Sequence, residues 1–197
     1  MRIKNAEQVR ELLGFHILAP DEEWDKLKAL FRPLHVPKHE FFIRAGEKPH
    51  MLGAIASGLF RTFCITDKGD ERILAFRQEG QILGGYAPYL MNQDNWYSIQ
   101  ALEDSELLCF SFGDLETLSA GHPCWEKFIH NYTVRMFLEK ECRERSLLME
   151  DAAARYLSFL EGNPGLADRI SQYHIASYLG ISPVSLSRIR SGLKASG

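Results

Sequence analysis

Apolar residues follow a helical spacing at the start of the chain, where two short faces lie on either side of Pro20-Asp21. The first face contains Val9, Leu12 and Leu13, and the second contains Trp24, Leu27 and Leu30. Because residues three or four apart lie on one side of a helix, residues 1–30 are predicted to be helical. Pro20-Asp21 is the predicted start of the second helix.

The period changes after Pro33, where short runs rich in β-branched and aromatic residues alternate with turn signals. These signals are Gly46-Glu47-Lys48-Pro49, Asp67-Lys68-Gly69-Asp70, Glu79-Gly80 and Glu103-Asp104. Short strands with this spacing predict an antiparallel sandwich or barrel. The clearest hairpin is Thr66 to Glu71, in which Gly69 supplies the positive φ angle that a tight turn needs.

The pattern is helical again from Gly113, and a long helix is predicted from about Pro123 to Arg145. One apolar face contains Trp125, Phe128, Ile129, Tyr132 and Met136, and the opposite face contains Val134, Leu138 and Cys142. One face can pack on the chain's own β-structure and the other on a partner. The alternative is a helix fully buried in a monomer. Its charged end, residues 139–146, argues against full burial, so we predict a dimer interface.

A further amphipathic helix is predicted from Met149, Ala153, Tyr156 and Leu160, and Gly162-Asn163-Pro164-Gly165 ends it. The segment from Gln172 to Ile189 then has the pattern of a helix-turn-helix. Its apolar positions are Ile175, Leu179, Ile181, Leu186 and Ile189. The predicted domains are residues 1–122 for the β-structure, 123–147 for the dimerisation helix and 148–197 for the helix-turn-helix.

The predicted turn has a local reason at each of its positions. Ala176 is small where the second helix must cross the first closely. Gly180 can adopt the left-handed conformation that lets a chain turn sharply after a helix. Ser182 is a good N-cap, and Pro183 fits the first helical turn. The alternative, an ordinary helical hairpin inside a core, requires these features to coincide by chance.

A short polar and cationic helix on a tight turn fits the DNA major groove, so this segment is predicted to bind DNA. The candidate DNA-binding residues are Arg169, Gln172, Tyr173, Ser182, Pro183, Val184, Ser185, Ser187, Arg188, Arg190 and Lys194. Arg188 is the candidate for a base edge or an adjacent phosphate, and Arg169, Arg190 and Lys194 are candidates for phosphates. The alternative for each charge is a solvated surface side chain.

The distribution of charge favours this interpretation, although the net charge of the chain is −3. Residues 164–197 contain four cationic side chains and one aspartate, which gives +3, so residues 1–163 carry −6. A cationic end can approach phosphates while the acidic remainder stays away from the duplex.

Composition excludes several other classes. The hydrophobic content is 45% over 197 residues, and no apolar run approaches the roughly 18 residues of a membrane helix. The N-terminus is too charged for a secretory signal, so a cytoplasmic location is expected. Cys64, Cys109, Cys124 and Cys142 form no Cys-x-x-Cys pair and no Cys/His cluster with zinc spacing. Buried reduced thiols are therefore expected instead of metal ligands, an iron–sulfur cluster or disulfides.

Enzymatic activity is not expected from the sequence. No Ser/His/Asp order, paired-carboxylate motif, phosphate-binding loop or metal cluster occurs in it. A cupin-like enzyme would need clustered histidine and glutamate ligands, which His35, His39 and His50 do not supply. No metal and no cofactor is predicted, and the scattered histidines are no evidence for haem.

Three groups of residues resemble the Crp-Fnr family of bacterial transcription regulators from about residue 30 onward. They are the glycines Gly46, Gly58, Gly69 and Gly80, the segment GQILGG at Gly80–Gly85, and the segment IASYLGISPVSLSRIR at Ile175–Arg190. The last segment is similar to the branch of the family common in Bacteroidetes-type bacteria. The resemblance implies an α+β fold: an antiparallel β-roll (a double-stranded β-helix or jelly roll) with flanking helices, a long dimerisation helix and a C-terminal winged-helix-like helix-turn-helix.

The same resemblance implies a homodimer that binds double-stranded DNA at a two-fold symmetric operator. RNA polymerase is a further candidate partner, and no membrane partner is expected. A competing hypothesis is a ligand-sensing or scaffold protein whose helix-turn-helix contacts a protein. The end of the chain at Gly197 leaves little room for a full β-hairpin wing.

Family members that bind cyclic nucleotides carry a glutamate for the ribose hydroxyl and an arginine for the cyclic phosphate. The resemblance places Gly85 at the glutamate position and Asn95 near the arginine position, so cyclic AMP is not expected to bind tightly. The candidate effector pocket consists of Gly84, Gly85, Tyr86, Asn95, Trp96 and Tyr97. Its aromatic residues, together with Tyr89, either line a site for another small-molecule effector or fill the vacated pocket; filling is favoured.

Overall fold

A computed structural model of the chain describes residues 6–12 and 19–195. Within these residues, helices precede and follow a region of eight strands. In chain order the elements are α1 (Ala6–Leu12), α2 (Asp21–Leu30), β1 (Arg32–Val36), β2 (Phe41–Ile43), β3 (Met51–Ser57), β4 (Leu59–Ile65), β5 (Glu71–Gln78), β6 (Ile82–Gly84), α3 (Tyr86–Leu90), β7 (Ser98–Ala101), β8 (Ser105–Ser111), α4 (Phe112–Gly121), α5 (Cys124–Met149), α6 (Ala152–Gly162), α7 (Leu166–Arg169), α8 (Gln172–Leu179) and α9 (Pro183–Ala195).

The strands form two four-stranded sheets, with the orders β1-β8-β3-β6 and β2-β7-β4-β5. Strand β8 pairs antiparallel with β1 on one side and with β3 on the other, so that Cys109 lies opposite both Arg32 and Gly53. The pairing of β3 with β8 shifts register between Ile55 and Ser57. This double sheet is the predicted antiparallel β-roll.

Apolar side chains of both sheets meet in one core. Its buried members include Ile55 and Leu107 from the first sheet and Phe60 and Ile99 from the second. The strands alternate side chains between two faces, so each sheet sends one face into this core. The predicted hairpin also forms: the Thr66 amide donates to the Asp70 carbonyl at 2.9 Å, and Gly69 has φ +83°.

A second core lies where the helices pack beside the roll. It buries Trp24 of α2, Phe112 and Leu115 of α4, and Trp125 and Phe128 of α5. Helix α4 begins with a capping box, since Ser111 Oγ accepts from the Asp114 amide at 3.0 Å and the Asp114 carboxylate accepts from the Ser111 amide at 2.8 Å. These hydrogen bonds from Ser111 lower the pKa of Asp114.

The residues group into two compact units. The first unit comprises the described residues up to Cys64 together with Leu74–Tyr132. The second comprises Ile65–Ile73 and the chain from Thr133 onward. Helix α5 therefore begins in one unit and ends in the other, and the tip of the β4–β5 hairpin belongs to the unit that contains the helix-turn-helix.

The long helix is displaced from its predicted bounds, since α5 runs from Cys124 to Met149. Met149, predicted in the following helix, is the exposed last residue of α5. The boundary is set by Asp151, whose carboxylate accepts from the amides of Ala153 and Ala154 at 3.0 and 2.8 Å and so starts α6.

All four cysteines are free thiols. Cys109 and Cys124 are buried as expected, Cys64 is half-buried, and Cys142 is exposed. The expectation of a buried thiol was wrong for Cys142 because it lies on the uncovered side of α5. None of the described helices is long and apolar enough to span a bilayer.

Candidate nucleic-acid interface and effector pocket

The first helix of the helix-turn-helix, α8, begins and ends where the sequence predicts. Ser171 caps its start by accepting from the His174 amide at 3.2 Å. Gly180 ends it in the left-handed conformation, with φ 70° and ψ 29°. The Ile181 amide then donates back to the Ala176 carbonyl at 3.0 Å, which satisfies a carbonyl at the helix end.

The second helix, α9, starts immediately after this turn. Ser182 Oγ accepts from the Ser185 amide at 3.1 Å, which is the predicted N-cap, and Pro183 is the first helical residue. The Leu186 amide donates to the Ser182 carbonyl at 3.0 Å and continues the helix. Gly180 and Ser182 therefore allow the chain to change direction between α8 and α9 without a longer loop.

Apolar contacts fix one side of this pair. Ile175, Ala176 and Leu179 of α8 and Leu186 of α9 are all buried. Full burial of a leucine side chain contributes roughly 1.5–3 kcal/mol. Ile181 and Ile189, also predicted as core positions, are half-buried. The opposite side of α9 is left for contact with a partner.

Three of the predicted DNA-binding residues lie on that opposite side. Val184, Ser187 and Arg188 are exposed on α9, and within the described part of the chain Arg188 forms no ion pair or hydrogen bond through its side chain. Exposed as well are Gln172, Tyr173, Ser182 and Pro183. Half-buried positions are Arg169, Ser185 and Arg190. The side chain of Lys194 lies outside the described residues.

Two serines of α9 differ from their predicted status. Ser185 is half-buried, and its hydroxyl lies 2.9 Å from that of Ser182, so it belongs to the N-terminal cap. Ser191, not predicted, is exposed one turn after Ser187 and donates to the Ser187 carbonyl at 3.0 Å. Helical spacing alone places Ser191 beside Arg188, so Ser191 could have been predicted from the sequence.

Two arginines outside the helix-turn-helix contact it, and no sequence pattern marks either of them. Arg155 of α6 donates to the Leu179 carbonyl at 3.1 Å and to the Glu150 carbonyl at 2.6 Å. A guanidinium at the end of α8 also interacts favourably with the helix dipole. Arg143 of α5 lies over the ring of Tyr178, with 3.9 Å from its Cζ to the ring centroid.

The tip of the β4–β5 hairpin is bound to the same helix. Ser177 of α8 donates to the Glu71 carbonyl and accepts from the Ile73 amide, both at 3.1 Å. Arg143 donates to the Ile73 carbonyl at 3.0 Å. Ser177 lies more than 100 residues from its partners, so no local pattern predicts this contact.

The two stripes of the long helix differ in exposure. Trp125 and Phe128 are buried in the helical core of the first unit, and Ile129 and Tyr132 pack against it; Met136 is half-buried. The other stripe is exposed. The exposed fraction is 39% for Val134 and 54% for Leu138, and Cys142, one turn further along the helix, is exposed as well. Phe137, which the sequence reasoning missed, adds 59% exposure. We call Val134, Phe137, Leu138 and Cys142 the outer stripe.

Asn95 fills the place that the pocket prediction assigned to a charged pair. It is 2% exposed; its side-chain amide nitrogen donates to the Glu47 carbonyl at 2.8 Å, and its main-chain carbonyl accepts from the Gly46 amide at 2.7 Å. A Cβ on Gly85 would lie 2.8 Å from Pro49 Cβ and closer still to Asn95 Oδ1. Gly85 therefore has no room for a glutamate side chain while Asn95 keeps this position.

The other predicted pocket residues separate. The Tyr97 hydroxyl donates to the Gly84 carbonyl at 3.1 Å, and burial raises the pKa of Tyr97 to about 12, so it stays a neutral donor. Trp96 contacts Tyr97 edge-on but is 59% exposed. Tyr86 stacks on Phe112 in the helical core, where burial raises its pKa.

Tyr89 joins the same stack. Its ring lies 4.0 Å from Phe112, between centroids, and its hydroxyl donates to Glu116, which raises the pKa of Tyr89. Tyr86 and Tyr89 thus pack against the helical core.

One cation near this region was missed because it comes from a distant strand. Arg77 of β5 is only 7% exposed and lies close enough to Tyr97 to act against the rise in its pKa. Its guanidinium donates to the Phe76 carbonyl at 3.0 Å. The stretch from Gly84 to Ile99 contains no arginine, so a search confined to it could not find Arg77.

Comparison with known proteins agrees with this geometry. Residues 33–122 match the cyclic nucleotide-binding domain. The regulatory protein HlyX of Actinobacillus pleuropneumoniae is 28% identical over 176 residues, covering 82% of this chain and 71% of that protein. The transcriptional activator protein anr of Pseudomonas aeruginosa is 27% identical over 191 residues, covering 89% and 76%.

A solved structure gives the same result over nearly the whole chain. The catabolite activator protein of Thermus thermophilus is 28% identical with a TM-score of 0.59, covering 94% of this chain and 88% of that one. The β-roll thus contains the region that matches a cyclic nucleotide-binding domain. Over most of its length the chain is similar to transcription regulators of the Crp-Fnr family.

Proposed function

We propose that this regulator binds double-stranded DNA as a homodimer, at an operator with two-fold symmetry. The observation that carries the proposal is the outward side of α9, where Val184, Ser187 and Arg188 are exposed while Leu186 is buried. A helix that packs on its own chain with one side and exposes polar side chains on the other fits the DNA major groove.

The side chains on this face have complementary roles in the groove. The methyl groups of Val184 suit the methyl group of thymine, and the Ser187 hydroxyl can donate or accept. The guanidinium of Arg188 matches guanine or a phosphate through two parallel hydrogen bonds. Arg169 and Arg190 are proposed to neutralise phosphates, which fixes the register without reading the sequence.

Retardation of genomic fragments by the purified chain, at several stated salt concentrations, tests this function. The expected result is selective retardation of a few fragments, with affinity that falls as salt rises because cations on phosphates release counterions. Retardation of no fragment, or of all fragments to the same extent, would contradict the proposal. If the same helix also bound a protein, that result would favour the scaffold function instead.

The second copy of the chain is proposed to cover the outer stripe. This stripe exposes Val134, Phe137 and Leu138 along about one turn of α5, which is costly in water unless a partner covers it. A two-fold axis beside the stripe makes it self-complementary, and it provides the two α9 helices that a symmetric operator requires. RNA polymerase remains a candidate partner of the DNA-bound dimer.

Leu138→Asp is expected to convert the dimer to a monomer. Two buried carboxylates, one from each copy, cost several kcal/mol and weaken association by at least about 100-fold. Sedimentation velocity over a concentration series measures this change. Leu90→Asp is the matched control, because Leu90 is 64% exposed but lies on α3, in the first unit. A dimer that survives Leu138→Asp would contradict the assigned interface.

The β-roll is proposed to respond to an effector other than cyclic AMP, or to none. Gly85 lacks the carboxylate that a ribose hydroxyl would need, and Asn95 occupies the adjacent space without a positive charge. Loss of a buried charge pair removes on the order of 2–5 kcal/mol of affinity.

Isothermal titration calorimetry of the full chain with cyclic AMP is accordingly expected to give no binding at micromolar concentrations. Gly85→Glu alone is not expected to create binding, because Asn95 and Pro49 obstruct the new side chain. Titration of the double variant Gly85→Glu/Asn95→Arg is the comparison. Micromolar binding by the unmodified chain would refute the proposal.

A further inference from the structure

Three side chains with metal-ligating atoms meet at one end of the helical core. Glu23 lies on α2, His122 lies between α4 and α5, and Cys124 is the first residue of α5. Their ligand atoms all lie within 4.8 Å of one another. Glu23 and Cys124 are buried and His122 is half-buried, so the cluster is reachable from one side.

The chemistry of these atoms selects the metal. A carboxylate oxygen, an imidazole nitrogen and a thiolate sulfur are all ligands that zinc accepts. Calcium and magnesium prefer oxygen alone and would not use Cys124. Ligands of a tetrahedral zinc lie roughly 3.5 Å apart, given metal–ligand distances of about 2.0–2.3 Å. The ligand atoms therefore need to approach one another by about 1.3 Å at most, which rotamer adjustments can provide.

We propose that Glu23, His122 and Cys124 form a zinc site with the fourth position open to a water molecule. The site is independent of the proposed DNA binding, since all three residues belong to the first unit. Zinc would join α2 to the start of α5, which are otherwise connected by about 100 residues of chain.

Neighbouring groups already orient the carboxylate. The indole N–H of Trp125 donates to one oxygen of Glu23 at 2.8 Å. The ammonium of Lys26 binds the other oxygen at 2.5 Å, but the Lys26 side chain is exposed and can leave for solvent when a cation binds. Such outer hydrogen bonds commonly fix the ligands of metal sites.

The ring of His122 needs one change. The Cys124 amide donates to its Nδ1 at 3.1 Å, so the neutral ring carries its proton on Nε2. Zinc on either nitrogen displaces this hydrogen bond, directly at Nδ1 or, at Nε2, by moving the ring proton to Nδ1. The loss of this one part-buried hydrogen bond is a small cost beside the binding of zinc by a thiolate. The thiol proton of Cys124 is released to solvent when the zinc–sulfur bond forms.

This cluster could not be predicted from the sequence, because its cysteine and histidine do not have the spacing of a metal-binding motif. His122 and Cys124 are two apart, and the third ligand comes from a helix 99 residues earlier. Only the packing of α2 against α5, through Trp24, Trp125 and Phe128, brings Glu23 to them.

Titration of the chelator-treated full chain with Co²⁺ tests the site, because cobalt substitutes for zinc and reports sulfur ligation by a charge-transfer band. One cobalt ion per chain should give this band, and Zn²⁺ should abolish it. Cys124→Ser should lose the band, whereas Cys142→Ser, at the exposed cysteine, should keep it. A chain without the band, a band that survives Cys124→Ser, or one lost in Cys142→Ser overturns the proposal.

His122→Gln provides a second test that does not disturb the core, since His122 is half-buried. Its cobalt affinity should fall at least about tenfold. Zn²⁺ should raise the thermal midpoint of the unmodified chain and raise that of His122→Gln much less. If Cys124→Ser fails to fold, as judged by circular dichroism, unchanged cobalt affinity in His122→Gln is sufficient to reject the site.

Discussion

Replacing Arg188 with alanine is expected to reduce operator affinity at least about 30-fold while leaving the fold intact. A lost base-edge contact costs about 1–3 kcal/mol, and a symmetric dimer loses it in both half-sites. Arg188 is exposed, and no described residue depends on its guanidinium, so stability should change by less than about 0.5 kcal/mol. Quantitative retardation on one bound genomic fragment measures the affinity, and urea unfolding measures the stability.

Two comparisons separate the contact from a general effect of charge. Arg44→Ala removes an exposed arginine from the first unit and should leave the affinity within about twofold. Arg188→Lys keeps the positive charge but loses the planar guanidinium that donates two parallel hydrogen bonds. It should therefore bind the operator better than Arg188→Ala only if Arg188 contacts a phosphate. Arg188→Ala with unchanged affinity and an unchanged footprint would remove this residue from the interface.

Features set by neighbouring residues could be predicted from the sequence. Gly180, Ser182 and Pro183 act on amides and carbonyls a few residues away, so their types alone identified the turn. The hairpin at Gly69 formed for the same reason. The short runs of β-branched and aromatic residues between turn signals predicted the antiparallel strands, because such residues favour strands and the turns between them are local.

Features that depend on distant packing could not be predicted in this way. The hydrogen bonds of Ser177 to the β4–β5 hairpin and the stacking of Arg143 on Tyr178 join segments that no local pattern connects. Arg77 approaches Tyr97 only because β5 folds into the same roll. The end of α5 was mispredicted for another reason. Apolar spacing assigned Met149 to the following helix, whereas the N-cap that starts that helix is Asp151.

The glycines that carry the family resemblance are required for different physical reasons. Gly58 has φ +107°, and a Cβ there would lie 2.6 Å from Ser105 Cβ and 2.8 Å from Ser105 Cα. Ser105 is fully buried at the start of β8, which is held between β1 and β3, so its backbone cannot retreat. Gly46, in the same unit, has φ +87° but nothing within 4 Å of a Cβ, so only backbone strain acts there.

Gly58→Ala is therefore expected to destabilise the first unit by about 2–6 kcal/mol, the sum of backbone strain and overpacking at about 1–3 kcal/mol each. Gly46→Ala, the matched control in the same unit, should cost only the strain of about 1–2 kcal/mol. Urea unfolding followed by circular dichroism gives both values. Adding Ser105→Gly to Gly58→Ala removes the nearest obstructing atoms and should recover part of the loss. Equal losses in the two single variants would show that the approach of Ser105 does not restrict position 58.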